Sequence, residues 1–143
     1  MKSIRLFIFF FVVVSACKSP KNEMIVPDKV KQAFEKLYPT ATDVRWIQEP
    51  SIFEAKFTDG KMKGAVSFND MAEIMETEEV IEKEQLPNLA GVLDYIHEHY
   101  EGETVTSFEK ITKQGGQVSY ELQITGKELI FDAEGKFLEE EPD

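Results

Sequence analysis

The chain has 143 residues, 27 acidic against 16 basic, and a formal net charge of −11 at pH 7. That balance argues against electrostatic capture of nucleic acid or of an anionic lipid surface, both of which need a basic face. A single cysteine rules out an internal disulfide framework, and the length fits one domain of ordinary size.

The first seventeen residues form a targeting pattern. Lys2 and Arg5 are basic, Leu6 to Val14 is an unbroken apolar run, and Ser15 and Ala16 are small. This order predicts a secretory signal peptide over residues 1–16. The apolar run is too short for a bilayer-spanning helix, which needs ~20 residues. Val14-Ser15-Ala16-Cys17 resembles a bacterial lipobox, and the resemblance implies cleavage before Cys17 and lipidation of its thiol. All 27 acidic but only 14 basic residues follow Cys17, so the processed chain carries a formal charge of −13. Lys18 to Glu23 is polar and contains Pro20, and residues 17–25 read as a tether between lipid and folded domain.

Residues 26–143 read as one domain made of two repeats, 26–84 and 85–143. Pro27 opens a helix whose stripe is Val30, Ala33, Phe34 and Leu37, and Pro39 ends it after Tyr38. Strand patterns follow. Val44 and Trp46 alternate within Ala41 to Gln48, then Phe53, Ala55 and Phe57 alternate with Glu54, Lys56 and Thr58. Asp59-Gly60 is a hairpin turn, Met62 to Phe68 is a third strand, and Asn69-Asp70 turns into a fourth beginning at Ile74. The acidic stretch from Glu73 to Gln85 reads as a strand and then a connection or as a short helix; the strand is favoured, because like charges at helical spacing repel and an acidic edge strand is protected from pairing with other chains.

The second repeat opens at Pro87, with Leu89, Val92, Leu93, Ile96 and Tyr100 on one helical stripe and Gly102 as the stop signal. Strands are expected over Thr104 to Thr112, around Tyr120, Leu122 and Ile124, over Leu129 to Phe131, and from Phe137. Tyr38 and Trp46 correspond to Tyr100 and Phe108; Phe53, Ala55 and Phe57 to Tyr120, Leu122 and Ile124; and Phe68 to Phe131. The predicted fold class is α+β, a tandem duplication of an α-β-β-β-β unit, with an antiparallel sheet and both helices packed on one face. One shared sheet competes with two separate lobes, each of which would bury too little apolar surface to be comfortably stable.

These residues resemble a known family. A lipobox is followed by Pro-x-x-Val-x-x-Ala-Phe-x-x-Leu-Tyr-Pro over Pro27 to Pro39. Then come Phe53-Glu54-Ala55, Thr58-Asp59-Gly60, Val66-Ser67-Phe68-Asn69, and a second start at Leu86-Pro87. The pattern is similar to the PepSY-like, β-lactamase-inhibitor-like family of secreted bacterial proteins, and covers nearly all of the processed chain. The resemblance implies a helix-plus-sheet repeat in tandem, export to the periplasm or outer membrane of a Gram-negative cell, and no enzymatic activity. Relatives of this fold bind proteins as propeptides or inhibitors. The second copy departs from the first in having Glu101 where the first helix ends in Pro39.

Catalytic and metal patterns are sparse. His97 and His99 are the only histidines, and two residues apart on a helix they point about 200° from each other. Ligating pairs on a helix need i, i+3 or i, i+4 spacing. Aligned with Leu37, His99 is expected to be partly buried. Ser107 and Ser119 lie in strand patterns without a nearby His. Asp132-Ala133-Glu134-Gly135 resembles a fragment of a calcium loop, but its flanks read as strands and the hairpin turn is the favoured reading. No metal, cofactor or nucleic acid is expected.

The leading expectation is therefore a non-catalytic envelope lipoprotein that binds a protein or peptide partner through the sheet face opposite the helices. Alternation places Glu54, Lys56, Glu121 and Gln123 on that face, with Arg45 joining them. Trp46 belongs to the core or, as a binding hot spot, to the surface. The alternative is an acidic protein that binds small ligands or cations weakly at many points.

Overall fold

The computed structural model describes residues 25–142, so the signal peptide, Cys17 and most of the tether lie outside the described residues. The first helix, α1, spans Asp28–Leu37. Pro27 caps it without a side-chain hydrogen bond: its carbonyl accepts the N–H groups of Val30 and Lys31 at 2.9 and 3.1 Å. Four strands follow: β1 (Thr42–Glu49), β2 (Ile52–Asp59), β3 (Met62–Asn69) and β4 (Ile74–Val80). A one-turn 3₁₀ helix at Lys83–Gln85 leads to α2, Leu89–His99. Four more strands complete the chain: β5 (Ser107–Lys113), β6 (Val118–Ile124), β7 (Lys127–Asp132) and β8 (Phe137–Pro142). The acidic stretch after Ile74 is thus a strand, as expected, followed by the 3₁₀ turn; the strand is not an edge, because β5 pairs with it.

All eight strands pair antiparallel with their sequence neighbours in the order β1 to β8, giving one sheet rather than two lobes. The join is the β4–β5 pair, in which Thr77 opposes Thr112 and Glu79 opposes Lys110. Directly opposed residues on antiparallel strands share a face. Following the register, Ala55 opposes Val66, Val66 opposes Thr77, and Thr77 opposes Thr112. Beyond the join, Lys110 opposes Tyr120, Phe108 opposes Leu122, and Leu122 opposes Leu129. All of these lie on one face, and both helices cover it.

Two apolar clusters sit beneath the helices. Under α1, Val30 and Phe34 pack with Phe53, Ala55, Phe57, Val66 and Phe68. The Phe34 ring meets Phe57 edge-on at 5.2 Å and Trp46 at 5.5 Å. Under α2, Val92 and Ile96 pack with Leu122, Ile124, Leu129 and Phe131, flanked by Tyr95, which stacks on Phe137 at 4.6 Å. Burying each such side chain contributes about 1.5–3 kcal/mol. Trp46 opposes Ala55 on this helix-covered face and belongs to the core.

Three expectations are corrected. Leu37 is 47 % exposed and Leu93 is 39 % exposed. On helices of ten and eleven residues only the narrow strip Val30–Phe34 or Val92–Ile96 points squarely at the sheet, and the rim of the stripe meets water. Tyr38, beyond the end of α1, packs against Phe57 with ring centroids 4.2 Å apart and planes tilted by 43°. His99 is exposed rather than partly buried, its ring 4.2 Å from Tyr95 on the outside of α2.

The turns that close the two halves have matching geometry. Asn69 Oδ1 accepts the N–H groups of Met71 and Glu73 at 2.9 and 3.0 Å. Asp132 Oδ1 accepts those of Glu134 and Lys136 at 3.0 and 2.8 Å. Side chains of this type form such turns by mimicking a backbone carbonyl. The carboxylate of Asp132 is thereby committed to the hairpin, which accounts for the calcium-loop look of its sequence. Gly135 takes φ +78° in that turn, where a Cβ would stand 2.6 Å from the Pro87 carbonyl oxygen at the start of α2.

Candidate functional site

The face of the sheet away from the helices carries no covering element among the described residues. Its composition follows from strand alternation: every residue between two core positions points here. Register organises it into rows that cross the strands. In one row Arg45 opposes Lys56, Lys56 opposes Ala65, Ala65 opposes Glu78, Glu78 opposes Ile111, and Ile111 opposes Ser119. In the next, Ile47 opposes Glu54, Glu54 opposes Ser67, Ser67 opposes Glu76, and Glu76 opposes Lys113. On the other side Val80 opposes Glu109, Glu109 opposes Glu121, Glu121 opposes Ile130, and Ile130 opposes Glu139.

The residues expected on this face from sequence are all placed on it, in two groups. Arg45, Glu54 and Lys56 are neighbours on β1 and β2. Glu121 and Gln123 lie on β6, four strand spacings or about 19 Å away. Sequence reading did not single out the residues between them: Ala65, Ser67, Glu76, Glu78, Glu109 and Ile111. The signal for several was present, since Val66 and Phe68 as core positions send Ala65 and Ser67 outward. What was missing was the pairing of β4 with β5, which brings Glu76 and Glu78 beside Lys113 and Ile111.

The electrostatics of the face are uneven. Lys56 Nζ lies 3.3 Å from Glu54 Oε1, and Lys113 Nζ lies 4.0 Å from Glu76 Oε2. Glu78 is pushed up to about 7 by burial, with Glu54 and Glu109 adding to the shift and Lys56 opposing it. Glu121 is likewise pushed up to about 7 by burial, then by Glu128, Glu109 and Glu78. Burial also raises Glu76, with the neighbouring charge of Lys113 pulling the other way. Each of these carboxyls is half-buried on a face lined by other carboxyls, so water screens it incompletely. At one end, an open groove of about 670 Å³ is lined by Arg45, Lys56, Lys63, Ala65, Glu78 and Glu109, among others.

Chemically, this surface offers charged and apolar contacts and, among the described residues, few parts for catalysis. Ser107 Oγ donates to Glu109 at 2.9 Å, with no His beside it, since His97 and His99 are exposed on α2. Among the described residues no group of three His, Cys, Asp or Glu side chains is arranged to hold a metal ion, and no helix is long and apolar enough to cross a membrane.

Residues 51–139 match a family model described as "Putative beta-lactamase-inhibitor-like, PepSY-like". Three solved structures share the fold. One, described as a putative periplasmic protein from Bacteroides eggerthii, is 20% identical, with TM-score 0.70, covering 83% of this chain and 90% of its own. A BLIP-like protein from Bacteroides fragilis is 22% identical, with TM-score 0.62 and coverages of 85% and 89%. A DUF2874 family protein from Bacteroides uniformis is 19% identical, with TM-score 0.69 and coverages of 82% and 90%. No curated protein matches the chain.

Proposed function

The chain belongs to the PepSY-like, beta-lactamase-inhibitor-like family, and from that premise we propose that it is a non-catalytic envelope protein that docks a protein or peptide partner on the open sheet face. The observation that carries this reading is the face itself. Eight strands present an uncovered surface in which half-buried carboxylates, cations and apolar residues such as Ile47 and Val80 are interleaved. A surface built only for solubility does not bury its charges part-way, because each half-buried carboxyl costs stability. The candidate contacts are Arg45, Glu54, Lys56, Glu121 and Gln123, joined by Glu78 and Glu109.

Export and anchoring complete the proposal. Residues 1–16 serve as a lipoprotein signal peptide, and lipid on Cys17 holds the domain at the periplasmic or outer membrane, as the targeting pattern supports. The periplasmic description of the Bacteroides eggerthii neighbour agrees with this location. Mass spectrometry of the processed N-terminus tests it: a diacylated or triacylated Cys17 is expected, and an unmodified Cys17 or cleavage elsewhere contradicts it.

The two halves are proposed to be copies of one ancestral unit. The matched Asn69 and Asp132 turns support this, as do the equivalent core pairs Ala55–Val66 and Leu122–Leu129. Docking is tested by capture from envelope extracts with charge reversal at Lys56 and a lysine at Gln123. Loss of the captured partner in both variants is expected; retention in both removes the face from consideration.

A further inference from the structure

The open face is not uniformly acidic, and the register shows how its charges are divided. Arg45 and Lys56 oppose each other across β1 and β2, and Lys63 on β3 lies diagonally from Lys56. Among the described residues no carboxylate lies within ion-pair distance of Arg45 or Lys63. Asp43, Glu78 and Glu109 line the same groove and Lys56 is paired with Glu54, so the cations that this end offers a partner are Arg45 and Lys63. From Glu109 at the groove's far rim outward the face is acidic: Glu109 directly opposes Glu121 on β6, and Glu128 on β7 directly opposes Glu141 on β8. Like charges placed opposite each other across strands are destabilising. The centre is closer to neutral, because Glu54 sits by Lys56 and Glu76 by Lys113. It is also low: Ala65, Ser67 and Ile111 are buried between their longer neighbours.

We propose that the open face takes a protein segment whose own charges are segregated, with carboxylates over β1–β3 and arginine or lysine side chains over β5–β7. The inference rests on the docking reading above and specifies the partner's chemistry. The separation from β2 to β6 is about 19 Å, which a segment of roughly six extended residues spans when it runs across the strands. Cations arriving over Glu109 and Glu121 relieve a repulsion the fold otherwise carries. A partner carboxylate over Arg45 and Lys63 finds cations with no ion-pair partner of their own. A uniformly basic segment satisfies one end and is repelled at the other, so charge order discriminates between partners as well as attracting them.

The test uses two synthetic octapeptides of identical composition. One carries two aspartates, a four-residue Thr/Ser spacer and two arginines; its isomer alternates the charges. Binding is followed through the amide resonances of the isotope-labelled, processed protein at low salt. The segregated peptide is expected to bind about three- to tenfold tighter, the range of one or two exposed ion pairs at each end. Its shifts should lie on β1–β3 and β5–β7. R45E and E121K should each abolish the preference, while K36E and E98K, equal charge changes on the helices, should keep it. Equal shifts on the open face from both isomers overturn the inference and leave docking standing. Shifts confined to α1 and α2 overturn both, and no binding by either peptide overturns the inference.

Discussion

Replacing Glu78 by Gln removes the charge from a carboxyl that the fold holds near 7 instead of 4.5. The folded protein keeps this proton over a pH range in which the unfolded chain releases it. Stability from this group is therefore fully present below about pH 4.5 and is lost as pH rises through 7. At about 1.36 kcal/mol per tenfold change in proton affinity, the rise from 4.5 to about 7 sets a ceiling near 3.4 kcal/mol. Glu78 is partly exposed, and solvent screening reduces the expected effect to about 1–2 kcal/mol. E78Q should accordingly gain about 1–2 kcal/mol over the parent at pH 8 relative to its difference at pH 4. For a domain of this size that is roughly 3–12 °C in Tm. Thermal or urea unfolding of both proteins at both pH values measures it. Packing costs of the amide are the same at both pH values and cancel. A difference that does not change with pH would refute the claim that crowded, half-desolvated carboxyls make this face costly to the fold.

Three further outcomes follow from the packing. Phe34→Ala should destabilise by about 3–5 kcal/mol, whereas Leu37→Ala on the same helix should cost under about 1 kcal/mol, as read by urea denaturation. Gly64→Ala should destabilise by about 2 kcal/mol or more, because its Cβ would run into the Glu78 carbonyl oxygen on β4; unchanged stability would show that β3 and β4 do not approach this closely. Asn69→Ala and Asp132→Ala should each lose about 1–2 kcal/mol with no effect of added calcium on either parent turn, which calorimetry with calcium checks alongside unfolding.

Much of the fold was legible because strand alternation is a local signal. Phe53, Ala55 and Phe57 against Glu54, Lys56 and Thr58 declare both faces of β2 without reference to any other strand. The Tyr120, Leu122 and Ile124 series does the same for β6, so placing Arg45, Glu54, Lys56, Glu121 and Gln123 on one face needed only the assumption of a shared sheet. The pairing of β4 with β5 was not legible in detail. The strands are separated by a helix and a long connection, and both carry mixed charged and apolar residues that suit an edge as well as an interior. Without that pairing, Glu76, Glu78 and Glu109 read as scattered acidity rather than as the middle of a charged face. Helix stripes misled at their rims, where Leu37 and Leu93 match the period but lie beyond the width of contact. The bulge between Thr42 and Arg45, with Asp43 at φ +54°, left no sequence signal such as a glycine.

Docking on the uncovered side of the sheet is tested most directly by photo-crosslinking in the living envelope. A photoreactive residue is placed singly at positions 56 and 123 on that side and at positions 35 and 98 on the helices. Adducts of the same partner from both sheet positions, and none from the helix positions, are the predicted result. Adducts only from the helices, or none from the sheet while the protein is correctly exported and folded, would contradict it.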